Sequence, residues 1–109
     1  MSIITLDYDD VSKDFVIDDA EDLLMNVLPD KAEMHVSESS LNHYHVEFRT
    51  VEELTFAECV SIARKSKCSK DYIDRVEKIG YFAIRTTRKS DGTPAPREIL
   101  SIINGGGQK

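Results

Sequence analysis

Period-two alternation is the feature that most restricts what this chain can fold into. In "SIITLDYDD" the apolar Ile4, Leu6 and Tyr8 interleave with Thr5, Asp7 and Asp9. Only a half-buried strand puts such a pattern on one dry and one wet side. "KAEMHVSES" repeats it, with Ala32, Met34 and Val36 inward and Glu33, His35 and Ser37 outward. After a polar turn at "SSLN", "HYHVEFR" alternates again, with Tyr44, Val46 and Phe48 inward and His43, His45, Glu47 and Arg49 outward. The last two runs form a hairpin. "YFAIRTTRK" is expected to be a further strand, with Phe82 and Ile84 inward and Ala83, Arg85 and Thr87 outward.

Between these runs the period lengthens to that of a helix. "DDAEDLLMNVLPD" carries the stripe Ala20, Leu23, Leu24, Val27 and Leu28, with Asp18 or Asp19 as N-cap and Pro29 as the stop. "TVEELTFAECVSIARKSK" has Leu54, Ala57, Val60, Ser61 and Ala63 on one side. "SKDYIDRVEKIG" is a shorter helix with Ser69 as N-cap, Tyr72, Ile73 and Val76 as its apolar side, and Gly80 as its end. "SDGTPAP" is a loop, and "REILSIIN" suits either a helix opened by Pro96 or a strand. The order β-α-β-β-α-(α)-β is the α+β, ferredoxin-like (RRM-like) βαββαβ pattern. It implies a four-stranded antiparallel sheet with helices on one face, one open face, and the first and third strands side by side in the middle. Residues 1–104 are expected to form one such domain and residues 105–109, "GGGQK", a frayed tail. A chain of 109 residues can build this core without disulfide or metal.

Charge and cysteine usage narrow the function classes. The net charge of −6 taken alone argues against nucleic acid. Its distribution argues otherwise: residues 1–58 hold 15 acids against 3 bases, and residues 59–109 hold 5 acids against 11 bases. A basic half can meet phosphate while an acidic cluster binds divalent cations. Cys59 and Cys68 have neither zinc-knuckle nor disulfide-framework spacing, and read as reduced thiols of a cytoplasmic protein. The chain has no apolar run near the roughly 20 residues that cross a bilayer and no charged-then-apolar leader, so no membrane partner is expected.

The expected topology brings distant residues together. Asp7 and Asp9 on the first strand, and His43 and His45 on the third, fall on the open face of neighbouring strands. Two carboxylates and one or two imidazoles offer oxygen and nitrogen ligands to Mg²⁺ or Mn²⁺. His35, Ser37 and Glu47 ring the same area, and Arg85 can meet phosphate. An uncovered face must be polar in any case. Histidine is uncommon, however, and all three of this chain fall there. Glycine-rich phosphate loops and Gly-x-Ser-x-Gly elbows are absent. Tyr44, Phe48 and Phe82 face the core by parity, which removes the stacking platform of a plain RNA-recognition module.

Two families share features with these motifs. "ITLDYDD" resembles the first motif of the palm module of archaeo-eukaryotic primases, an Asp-x-Asp at a strand end, at Asp7 and Asp9. "VSESSLNHYHV" resembles its second, a Ser and then a strand-borne His, at Ser37 and His45. The resemblance covers residues 1 to about 89 and implies metal binding by the aspartates and nucleotide contact by His45. The family's third metal-binding aspartate would fall on Asp74 of "DYIDRVEK", in a helical setting, and the subdomain that completes a polymerising primase is absent. "HYHVEF" also resembles the His-hydrophobic-His signature of HUH endonucleases at His43 and His45. That resemblance implies Tyr72 as a nucleophile forming a phosphotyrosine, with Lys78 farther away than the usual pattern.

The function expected from these readings is a small nucleic-acid-handling protein of replication type, a reduced primase-like palm acting on single-stranded DNA. Asp7, Asp9 and His45 would be the catalytic set, with Asp7, Asp9, His43 and His45 around Mg²⁺ or Mn²⁺. Arg64, Lys65, Lys67, Lys70, Arg85 and Arg88 would contact phosphate. The alternatives are a single-strand nickase using Tyr72 and a non-enzymatic ferredoxin-like module that homodimerises, aided by the apolar "ILSII".

Overall fold

The alternating runs are strands in the computed structural model, which describes residues 1–82 and 95–104. Within these residues the order is β1 (Ser2–Asp9), α1 (Lys13–Asn26), β2 (Ala32–Ser40), β3 (His43–Thr50), α2 (Phe56–Arg64), α3 (Lys70–Ile79) and β4 (Arg97–Asn104). The fold is α+β and of the ferredoxin-like βαββαβ type, with an open, fully antiparallel four-stranded sheet.

The strand order departs from the expected one. It runs β1-β3-β2-β4, so β1 and β3 are neighbours as anticipated, but β3 and β2 hold the middle of the described sheet. The reason is the origin of β4. "REILSIIN" is a strand, not a helix, and it lies along β2: Leu100 stands opposite Val36 and Ile102 opposite Met34. These pairs extend the apolar rows Leu6–Val46–Val36 and Ile4–Phe48–Met34 by one strand. Pro96 precedes the strand, where its missing N–H costs no ladder bond. The strand expected in "YFAIRTTRK", together with Arg85 and Arg88, lies outside the described residues apart from Tyr81 and Phe82, which are not in a strand. The expected tail 105–109 also lies outside them.

Helix α1 begins well before Asp18. Ser12 caps it, its Oγ accepting the Phe15 N–H at 3.2 Å. The earlier start adds Val16 to the buried stripe Ala20, Leu23 and Leu24. Helix α2 begins later than the run "TVEELTF" suggested, at a capping box in which Thr55 and Glu58 exchange hydrogen bonds. Cys59, Val60 and Ala63 are its buried side, while Ala57 and Ser61 face solvent. Both cysteines are buried and unpaired. Helix α3 ends as read: Gly80 takes a left-handed φ of 88° and returns its N–H to the Val76 carbonyl at 2.8 Å. The three helices bury these side chains on the sheet face formed by Ile4, Leu6, Tyr8, Met34, Val36, Tyr44, Val46 and Phe48, none more than 4% exposed. Each such burial stabilises the fold by about 1.5–3 kcal/mol.

Asp19 joins three parts of this core. Sequence reading cast it as an N-cap, but it lies inside α1. Its Oδ2 accepts the Tyr8 hydroxyl and the Lys67 backbone N–H, each at 2.7 Å. It thus ties β1 and the α2–α3 connection to α1. Burial, with the Asp19 charge close by, pushes the Tyr8 phenol far above its ordinary range. Hydrogen bonds to a charged acceptor contribute about 1.5–3 kcal/mol each. Asp19→Ala is therefore expected to destabilise the protein by about 3 kcal/mol in urea unfolding, leaving two donors unserved. Tyr8→Phe should cost clearly less in the Asp19→Ala background than alone. Equal costs in the two backgrounds would show that the tether contributes nothing.

Candidate site on the uncovered sheet face

The register sets the outward side chains in rows across the strands. Asp7 stands opposite His45, which stands opposite Ser37. Asp9 stands opposite His43. In the next row Thr5, Glu47, His35 and Ser101 follow one another from β1 to β4. All three histidines are thus on one face, and the aspartate pair meets the histidine pair residue for residue.

Each imidazole has a carboxylate. His43 Nδ1 lies 2.9 Å from Asp9 Oδ1, and its Nε2 lies 3.9 Å from Asp10 Oδ1. His45 Nε2 lies 3.5 Å from Asp7 Oδ1. His35 sits between Glu98 at 3.0 Å and Glu33 at 2.9 Å, with the Ser101 hydroxyl at 3.1 Å. Arg49 is bound by Glu47. The two aspartate–histidine dyads differ in depth. The Asp9 and His43 side chains are 46% and 37% exposed, against 22% and 11% for Asp7 and His45.

The inner dyad is sheltered because the face is not open along its whole length. Tyr72 of α3 is buried, and its hydroxyl hydrogen-bonds the Thr5 hydroxyl. Thr5, expected in solvent, is only 5% exposed. The Ser69 N–H at the head of α3 donates to the Asp7 carbonyl at 2.8 Å, which fixes the helix against β1. Arg75, one turn after Tyr72, holds its guanidinium 5.5 Å from the centroid of that ring. Burial raises the Asp7 carboxyl above its ordinary 3.8, and the Asp9 charge adds to the rise, while Arg75 and His43 pull partly the other way.

Of the residues singled out in the sequence, Asp7, Asp9, His43 and His45 come together, and Tyr72 reaches the same face through Thr5. Of the basic set, the described members Arg64, Lys65, Lys67 and Lys70 do not join them. Arg64 is held by Asp74 at 3.0 Å and by Glu77, which also takes Asp74 away from any shared site with Asp7 and Asp9. Lys67 sets its Nζ 5.8 Å from the Phe15 ring, and Lys65 and Lys70 are exposed around the α2–α3 connection. Arg75 was missed, although its spacing of three from Tyr72 on a helix was a readable sign. The donors suit a hard divalent cation in kind. In arrangement they are two dyads: among the described residues no three His, Cys, Asp or Glu side chains converge as metal ligands do. No helix of the described residues is long and apolar enough to cross a membrane. Compared with protein-family models, curated proteins and solved structures, the chain matches none.

The raised Asp7 carboxyl gives a pH signature. The folded state holds this proton more tightly than the unfolded state, so the ionised group costs stability above its folded pKa, and the cost disappears as pH falls towards 3.8. Asp7→Asn should therefore raise the unfolding midpoint at pH 7, with the gain shrinking on acidification and gone near pH 3.8. Urea titrations of both proteins from pH 4 to 8 check this. A loss of stability at pH 7 would mean that attraction to Arg75 and His43 outweighs burial.

Proposed function

We propose that this face binds a divalent cation, Mg²⁺ or Mn²⁺, and through it the phosphates of a nucleic acid, single-stranded DNA in the first place. The observation that carries the reading is the row Asp7–His45–Ser37 across three strands, with Asp9 and His43 beside it. Asp7, Asp9, Ser37 and His45 among them are the residues on which the likeness to the primase palm rests, and they share one face. Asp7 and Asp9 would hold the cation, which supplies positive charge to an otherwise acidic surface. His43 and His45, oriented by their carboxylates, would hold protons towards a phosphate or a ligand hydroxyl. Binding of the cation draws Asp9 away from His43, so metal and proton compete for the outer dyad.

A nickase role for Tyr72 draws on one observation: its hydroxyl is directed to Thr5, two residues from Asp7 on the same side of β1. That hydroxyl is buried against Thr5 and would have to be released to attack a phosphate. Tyr72→Phe separates the readings, since it abolishes strand cleavage under the nickase reading and leaves cation-dependent binding under the palm reading.

The test is fluorescence anisotropy of a labelled single-stranded oligonucleotide at low salt, with Mn²⁺ or with EDTA. Binding should require Mn²⁺ and weaken with added salt. Asp7→Asn and His45→Ala should each lower Mn²⁺ affinity by about tenfold or more, the scale on which metal sites respond to losses in and around the ligand shell. Absence of binding in both conditions would overturn the proposal and leave the face to a non-enzymatic role, for which sedimentation would look for a homodimer.

A further inference from the structure

Arginines 49, 64, 75 and 97 are the arginines among the described residues, and carboxylates take three of them. Glu47 holds Arg49, Asp74 and Glu77 hold Arg64, and Glu38 holds Arg97 at 3.1 Å. Arg75 makes no such ion pair among the described residues. Asp71, one turn earlier on the same face of α3, does not reach it. The guanidinium carbon lies instead 5.5 Å from the centroid of the Tyr72 ring, a cation–π contact that does not spend its N–H fork on a carboxylate. The ring is immobilised in turn by burial and by the Thr5 hydroxyl. Because the Tyr72 hydroxyl bonds Thr5, two residues from Asp7 on the same side of β1, the guanidinium beside that ring stands at the β1 side of the aspartate–histidine row.

We propose that Arg75 is the phosphate anchor of this face, its guanidinium taking two oxygens of one phosphate while Tyr72 holds it in place. The role in strand binding rests on the nucleic-acid reading above. The assignment replaces Arg64, whose charge two acids of α3 already offset. It also differs from the exposed lysines of the α2–α3 connection, which are mobile point charges without a fork. A planar, bidentate donor set recognises phosphate more specifically than an ammonium does.

Two measurements test it. The first follows the arginine Nε–Hε signals of the wild-type protein by NMR during titration with inorganic pyrophosphate in EDTA, with chloride at equal ionic strength as control. The Arg75 signal should move and the Arg64 signal should not. The second repeats the oligonucleotide titration with Arg75→Ala, Arg75→Lys and Arg64→Ala. Arg75→Ala should weaken binding about tenfold and reduce the slope of log affinity against log salt by about 0.7, the value of one single-strand phosphate contact. Arg75→Lys should restore the slope but not the affinity. Arg64→Ala should change neither by as much as twofold.

A pyrophosphate response at Arg64 in place of Arg75, or wild-type affinity in Arg75→Ala, would overturn the assignment and leave Arg75 as a neutraliser of Asp7. The first measurement needs no variant to fold. If Arg75 responds to pyrophosphate and the wild-type protein binds no oligonucleotide with or without Mn²⁺, the anchor stands for another phosphate-bearing ligand and the nucleic-acid reading falls.

Discussion

Strand β3 is hydrogen-bonded along its length to β1 on one side and β2 on the other, and the remaining geometry follows from that double pairing. Its inward residues Tyr44, Val46 and Phe48 are at most 4% exposed. Slipping the strand by one residue would turn all three into solvent and bring His43, His45, Glu47 and Arg49 into the core. At about 1.5–3 kcal/mol for each large apolar side chain, that exchange is prohibitive for a domain whose whole stability is about 5–15 kcal/mol. The outward side chains have no register of their own. Asp7 faces His45 because Leu6 faces Val46.

The same constraint crowds carboxylates on the uncovered side. Asp7, Asp9, Glu33, Glu47 and Glu98 share it, and the three histidines and Arg49 are interleaved among them as local compensation. At the wet end this has little energetic weight, since an exposed pair such as Asp9–His43 is worth at most about 1 kcal/mol. Asp7 is different in kind. Its carboxyl is mostly covered, next to a second aspartate, and its raised pKa records an ionised form that the fold does not favour. A core that wanted only stability would put an amide or a threonine there. Retaining an unfavourable carboxylate beside an imidazole is the physical basis for regarding the inner dyad, rather than the outer one, as the centre of the site.

Much of this was legible because alternation is a local signal that burial enforces. Each of the three strands read from "ITLDYDD", "KAEMHVSES" and "HYHVEFR" exists, with its inward and outward sets as read, although the outward Thr5 and His45 are buried. The meeting of Asp7 and Asp9 with His43 and His45 followed from topology alone. The misses have physical causes that local pattern does not carry. Ser12 and the two aspartates 18 and 19 are all good caps, and the choice fell to Ser12 because an earlier start lets Val16 join the core. "REILSIIN" was undecided because its isoleucines suit either period; the free side of β2 decided it. The segregation of acidic and basic halves in sequence does not keep the described arginines of the second half apart from acids: Arg64 pairs within its own half and Arg97 reaches Glu38 across halves.

Tyr72 lies on the apolar side of α3 as read, and it shows how the candidate site depends on that helix. Sequence reading offered two roles for it, a core residue or an exposed nucleophile. It is a core residue whose polar end reaches the uncovered face at Thr5. Docking of α3 is secured by Ile73 and Val76 on the apolar side and by the Ser69 N–H on the Asp7 carbonyl. One helix position therefore sets the burial of Thr5, shelters the Asp7 carboxyl and carries Arg75 to the rim. Shifting α3 outward would hydrate Asp7, lower its carboxyl towards the ordinary range and withdraw the guanidinium at the same time. Acidity of the inner carboxylate and presentation of the arginine fork are thus one mechanical variable, and any ligand that engages Arg75 acts on Asp7 as well.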